Sequence, residues 1–181
     1  MKRINFKKIS ICNFLSIGDD PVEITFKQDI NFITGVNKDK QDRQNAVGKT
    51  SVKRGIFWCI FGEDLYGTKT DLLVNNINKQ GMKVVLDFDV DENGEHTSYT
   101  IIRNEKSCKL LKNGNDITLS TKVLTNNKIC EIISATPEIF TNCVIMSLND
   151  TIPFMSKKGV EKRHFIEQIF NFSFLDRKSV V

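Results

Sequence analysis

Proline is scarce in this chain, with three residues among 181, and no tract has low complexity. Disorder is therefore excluded as a default outside short loops. Histidine occurs twice, at His96 and His164, and the five cysteines (Cys12, Cys59, Cys108, Cys130 and Cys143) form no C-x-x-C pair. This spacing argues against a zinc site. The cysteines mostly sit among apolar neighbours, which predicts small buried hydrophobes in a reducing compartment. No stretch approaches the roughly 18 uncharged apolar residues of a spanning helix. The charged start Met1-Lys2-Arg3 has no apolar signal segment behind it before Asn13. The expectation is a cytoplasmic protein with no membrane partner.

What is present is enough for one domain with its own core: 40% hydrophobic and 27% charged residues in 181. The net charge of +4 permits contact with a polyanion without establishing one. Lys2, Arg3, Lys7 and Lys8 make a basic start. Lys106, Lys109 and Lys112 recur further on, and non-specific, salt-dependent contact with a DNA backbone is one reading of both groups, a solvated charged face the other.

Hydrophobic periodicity predicts a strand over Ile4 to Ile11, a bend from Asn13 to Gly18, an alternating strand over Val22 to Phe26, and another over Ile30 to Thr34 running into Gly35. A polar loop, Asn37 to Asn45, separates that strand from a helix with a stripe of Val52, Ile56, Phe57 and Ile60. Glu63 to Gly81 reads as irregular, with Leu72-Leu73-Val74 as one turn against the core. A strand over Lys83 to Val90 turns at Asn93-Gly94 into a partner over Thr97 to Arg103. Asn113-Gly114 marks a second hairpin between Lys109 to Leu111 and Ile117 to Leu119. A helix over Thr121 to Ser134 places Val123, Leu124, Ile129, Ile132 and Ile133 on its apolar side. Thr136-Pro137-Glu138 caps a short helix through Phe140. Cys143 to Met146 reads as a buried strand, and Lys158 to Phe170 as a helix with Val160, Phe165, Ile166 and Ile169 inward. The fold expected is a mixed α/β or α+β domain with antiparallel hairpins and one strand feeding a loop before the first helix.

That loop carries the sharpest feature. It ends in Gly48-Lys49-Thr50-Ser51 at the helix start. Amides at a helix N-terminus, with its partial positive charge, favour phosphate. A glycine lets the backbone approach closely, a lysine reaches the terminal phosphates, and a threonine hydroxyl serves Mg²⁺. The strict G-x-x-x-x-G-K-[ST] pattern fails because residue 43 is Arg and the preceding glycine is Gly35. Either Gly35 is the strand-proximal glycine of a loop with an insertion, or the match is accidental and the triplet is an ordinary helix start. A glycine and a lysine in a first turn that usually favours acids speak against the latter.

The chain resembles, over essentially its whole length, the N-terminal ATPase lobe of exonuclease complexes of the SbcC type. These belong to the SMC-like DNA repair ATPases, and the likeness is nearest to phage recombination endonuclease large subunits. Asn13-Phe14-Leu15-Ser16 follows the first strand, and Gly35, Asn37, Asn45, Gly48, Lys49 and Thr50 match the family's G-x-N…N-G-x-G-K-[ST] loop. Trp58 to Gly62 matches the helix end that closes on Phe-Gly. Val144 to Met146, Pro153-Phe154-Met155 and Lys162-Arg163 before Phe165 to Phe170 match later segments. Ala46 stands where a glycine is expected, and Lys38 to Gln44 reads as an insertion. Ser147 stands in the place of the family's metal-contacting glutamine, with Asn149 the nearest amide.

The resemblance implies a P-loop NTPase half-domain of the ABC/SMC type that takes ATP and Mg²⁺. It implies ATP binding by Asn13, Phe14, Ser16, Gly35, Asn37, Asn45, Ala46, Val47, Gly48, Lys49, Thr50 and Ser51. Thr50, Ser147 and Asn149 would serve the metal, with Lys49 and Ser147 catalytic. The coiled coil and the C-terminal lobe, with its signature motif and acidic pair, are not among these 181 residues, so the chain is expected to be the N-terminal lobe alone. A fragment, a broken gene and one piece of a split protein all stay open. The implied partners are a nuclease subunit, a C-terminal lobe or second protomer, and double-stranded DNA, in a host cytoplasm if phage-encoded. ATP hydrolysis once completed by the other lobe is the leading function. A nucleotide-binding module without turnover, and a non-catalytic DNA-binding or structural fragment, are the alternatives.

Overall fold

The computed structural model describes residues 2–36, 47–145 and 156–169. Its contacts divide the chain into two units, Met1–Ser134 and Ala135–Val181.

The first unit is built on six strands: β1 (Lys2–Cys12), β2 (Val22–Thr25), β3 (Lys83–Glu92), β4 (Glu95–Asn104), β5 (Cys108–Lys112) and β6 (Asn115–Asp116). They form one sheet in the order β2-β1-β3-β4-β5-β6, antiparallel at every pairing. Asn93 and Gly94 take φ 52° and 84°, and Asn113 and Gly114 take 49° and 81°, the paired left-handed geometry that matches the twist of tight hairpins. The second hairpin's return strand is shorter than its pattern predicts. β6 ends at Asp116, although the Ile117 amide still reaches the Leu110 carbonyl at 2.9 Å.

Period-two alternation gives the sheet two different faces. Ile9, Ile11, Val84, Leu86, Phe88, Ile101 and Leu110 are buried on one face, where cross-strand neighbours such as Ile9, Leu86 and Ile101 line up. The other face is a polar ladder. Thr100 donates to Asp87 (2.6 Å), Ser98 donates to Asp89 (2.8 Å), and His96 Nδ1 meets Asp91 at 2.6 Å. Lys7, in the bulge where the β1–β3 register shifts, pairs with Asp89 at 3.2 Å.

Helices α1 (Lys49–Phe61) and α2 (Lys122–Ile133) complete this unit. In α1, Val52, Phe57, Trp58, Cys59, Ile60 and Phe61 are buried, while Ile56 is half-buried, so the predicted stripe is broader than drawn. In α2, Ile129, Ile132 and Ile133 are buried, but Val123 and Leu124, at its start, are exposed. Thr121 caps α2 by accepting from the Leu124 amide. A 3₁₀ turn at Thr70–Leu73 buries Leu73 fully and leaves Leu72 exposed.

In the second unit, α3 (Pro137–Cys143) has Thr136 as cap and Pro137 in its first turn, and α4 spans Gly159–Ile169. Val160 is 82% exposed, so it does not belong to a buried stripe.

Two predicted strands are corrected. Residues 30–36 have no regular structure, and Ile30 and Phe32 are 90% and 91% exposed. Alternation makes a segment able to pair, but a strand exists only beside a partner, and among the described residues none lies there. Cys143 to Ile145 is no strand either. Cys143 closes α3, and the Val144 and Ile145 amides both bond to the Phe140 carbonyl at 2.9 Å, which ends the helix. Met146 lies outside the described residues.

The cysteines also divide. Cys59 and Cys108 are buried, Cys12 and Cys130 are half-buried, Cys143 is exposed, and all five are unbridged. Among the described residues no helix is long and apolar enough to cross a membrane.

Candidate phosphate-binding site

The site is the N-terminus of α1. Gly48 precedes the helix at φ 83°, ψ 5°, a left-handed conformation open to glycine at little cost. Gly48 has no side chain with which to cap this terminus, and the first turn carries no acid. Most helix starts satisfy their first amides with Ser, Thr, Asp or Asn. Here the Gly48 carbonyl accepts from the Ser51 amide at 3.0 Å, and Lys49 and Thr50 are exposed at the opening of the helix.

Two contacts fix this terminus. Ser51 is buried, and its Oγ lies 2.9 Å from Ser16 Oγ, joining the bend after β1 to the first turn of α1. A Cβ on Gly48 would stand 3.3 Å from the same Ser16 hydroxyl. Gly35 and Val47 come together as well, since a Cβ on Gly35 would lie 2.8 Å from Val47 Cβ. Gly35 thus lies beside the residue that precedes Gly48. Asn37, Asn45 and Ala46 lie outside the described residues, as do Ser147 and Asn149.

Asn13 and Phe14 are both buried in the bend after β1. Phe14 is fully buried, with its ring 5.6 Å from Trp58. Asn13 accepts from Asn78 Nδ2 at 2.6 Å and reaches the Gly81 carbonyl at 3.5 Å. Both shape the bend that carries Ser16.

Sequence reasoning missed the residues that hold this bend and the loop after α1. Asn75, 4% exposed, donates to the carbonyls of Leu15 (2.9 Å) and Ile17 (3.1 Å) and accepts from the amides of Ile77 and Asn78. Asp64 has a fully buried side chain and takes a two-pronged pair from Arg54, both bonds at 2.8 Å. Burial pushes its carboxyl up, but the bonds from Arg54 and Thr68 and from the Tyr66 and Thr68 amides outweigh it and hold it below the ordinary carboxylate value. The only sequence signal was an acid in a polar stretch ten residues after an arginine on a helix.

A cavity of about 320 Å³ is lined by Ile17, Val22, Ile24 and Val52 together with Thr34, Gly48 and Lys49. Of the basic start, Lys7 pairs with Asp89, Lys8 pairs with Glu23 at 2.8 Å, and Lys2 donates to Ser134 at 2.9 Å. Lys106, Lys109 and Lys112 are exposed.

The antiparallel sheet and the Gly48-Lys49-Thr50 helix start define a mixed α/β P-loop NTPase fold of the ABC/SMC type. The chain belongs to a family described as AAA domain, whose model matches residues 8–179. It is 24% identical over 172 residues to the probable exonuclease subunit 2 of Escherichia phage T5, covering 94% of this chain and 27% of that protein. The chain thus spans about a quarter of that relative's length. Two solved structures share the fold. One was described under ATP-driven dimerization and DNA-stimulated activation of SMC ATPases (TM-score 0.61, 16% identity, 91% of this chain and 99% of that one). The other is the Smc head domain with an extended coiled coil bound to the C-terminal domain of ScpA, from Pyrococcus furiosus (TM-score 0.63, 15% identity, 97% of this chain and 44% of that one).

Proposed function

We propose that the domain binds ATP with Mg²⁺ at the N-terminus of α1 and hydrolyses it once a second lobe completes the site. The observation that carries this reading is the left-handed, uncapped Gly48 followed by exposed Lys49 and Thr50 with no acid in the first turn. That arrangement suits an anionic ligand, because the helix end is positive and its first turn carries no acid.

In this reading Lys49 neutralises charge on the terminal phosphates, the Thr50 hydroxyl holds the metal, and Gly35 and Val47 contribute backbone to the phosphate loop. Asn37, Asn45 and Ala46 belong to that loop, with Ser147 and Asn149 as the further metal-side residues. Ser16 and Ser51 brace the first turn through each other. When bound, Mg²⁺ supplies charge neutralisation at the phosphates. Acidic groups that activate water would come from the completing lobe or a second protomer. The role proposed for the whole protein is ATP-gated action of a nuclease partner on double-stranded DNA, supported by the phage exonuclease relative. The exposed lysines at 106, 109 and 112 are proposed to meet a DNA backbone.

The test is thermal unfolding with and without MgATP. A ligand specific to the folded state at a hundredfold excess over its dissociation constant adds about 2.7 kcal/mol of stability. The parent chain should gain on this scale and Lys49→Ala should gain little. A parent chain that gains nothing refutes the site. Hydrolysis by the isolated chain at rates of complete ATPases would refute the need for a second lobe.

A further inference from the structure

We infer that Arg103 is a positioning residue for the phosphate site, acting from the opposite end of α1. The inference rests on the reading that the α1 N-terminus takes the triphosphate. Arg103 lies on β4, 1% exposed, and among the described residues no carboxylate pairs with it. A buried guanidinium in that condition is costly unless something else supplies negative potential. Here the end of α1 supplies it: Arg103 Nε donates to the Cys59 carbonyl at 2.9 Å, and Nη2 donates to the Ile60 carbonyl at 3.3 Å. These are among the carbonyls a helix leaves unpaired at its negative end. Nη2 also donates to Asn126 Oδ1 on α2 at 2.8 Å.

The surrounding residues are fitted to this charge. Gly62 ends α1 at φ 75° with its amide on the Trp58 carbonyl, and a Cβ there would come within 2.7 Å of Arg103 Nη1. The guanidinium also lies 5.9 Å from the centre of the Trp58 ring, which itself packs on Phe14. Phe14 belongs to the bend that presents Ser16 to Ser51. One buried cation therefore ties the end of α1 to β4 and α2, and two routes lead from it to the helix start: the helix itself, and the tilted Trp58–Phe14 ring contact. A helix moves largely as a rod, so releasing its last turn shifts the amides of its first.

The experiment compares Arg103→Met and Arg103→Lys with Leu110→Ala, a core truncation on the same sheet face, in the 181-residue chain. Each is studied at a temperature where circular dichroism shows it folded. MgATP affinity is measured by calorimetry, and amide exchange over residues 49–52 is measured without nucleotide. Arg103→Met should weaken affinity about tenfold or more, since small misplacements of a preorganised site are expensive. It should also speed exchange over 49–52, with Arg103→Lys restoring part of both. Leu110→Ala should lower the melting temperature yet keep the parent affinity and exchange. Parental affinity in folded Arg103→Met, or equal loss in Leu110→Ala, overturns the inference. Should Arg103→Met not fold, Asn126→Ala, which removes one acceptor from the guanidinium, decides by the same readouts. Should the parent chain bind no ATP, the phosphate reading fails. The exchange arm still stands alone, and unchanged exchange over 49–52 overturns the role of Arg103.

Discussion

Gly35 and Val47 meet so closely that a Cβ on Gly35 would lie 2.8 Å from Val47 Cβ. The contact sets where the chain re-enters at Gly48, and any side chain at residue 35 must displace Val47.

Gly35→Ala should therefore disturb nucleotide binding more than folding. The residue lies in irregular backbone outside the sheet, so the melting temperature without ligand should change by only a few degrees. The MgATP-dependent rise should largely disappear, and Gly35→Ala with Val47→Ala should regain part of it. Thermal unfolding of the single and double variants checks this. A single variant with the full parental rise would show that the contact does not matter to the site.

Asp64 anchors the loop after α1 through Arg54, and its depressed folded value gives the sign of its pH dependence. The carboxylate contributes stability above its ordinary value of about 3.9, and that contribution is lost as pH falls through the lower folded value. Asp64→Asn should cost about 3 kcal/mol at pH 7, because it leaves Arg54 largely buried without its counter-charge. It should also flatten the acid limb of the stability profile below about pH 4. Urea unfolding from pH 7 to pH 3 measures both effects.

The Cys59 thiol is pushed up from 9.0 to about 12 by burial, opposed by the nearby Arg103 charge. A folded value above the unfolded one means that its stability contribution is complete below 9.0 and falls as pH rises toward about 12. Cys59→Ala should therefore show a shallower alkaline loss of stability than the parent. At pH 8 in native buffer, a thiol reagent should modify exposed Cys143 quickly and spare Cys59 and Cys108 until the protein unfolds.

Asn75→Asp tests the bend that carries Ser16. The amide donates to two carbonyls, and an aspartate of the same shape cannot. Leaving both acceptors facing a carboxylate should cost about 2–3 kcal/mol, near the upper range for a stranded buried group. Asn75→Asp should lose more stability than Asn78→Asp, whose amide donates once, to Asn13. Chemical denaturation of the pair provides the comparison.

The sequence by itself determined the elements whose cause is local. Asn93-Gly94 and Asn113-Gly114 dictate their turns because few residues tolerate positive φ, Thr121 and Thr136 start their helices by capping, and period-two alternation gives β1, β3 and β4 a buried face. The start of α1 was legible for the same reason, since Gly48-Lys49-Thr50 is a local chemical statement about a helix start. Tertiary structure alone decided what depends on a partner distant in sequence. It left Ile30 to Thr34 outside the sheet because pairing is a property of two segments. It held Cys143 in a helix despite its apolar neighbours, and it turned Asn75, Asp64 and Arg103 from unremarkable polar residues into buried anchors. A buried charge is stable only where carbonyls or a counter-charge converge on it, and no single stretch of chain specifies that convergence.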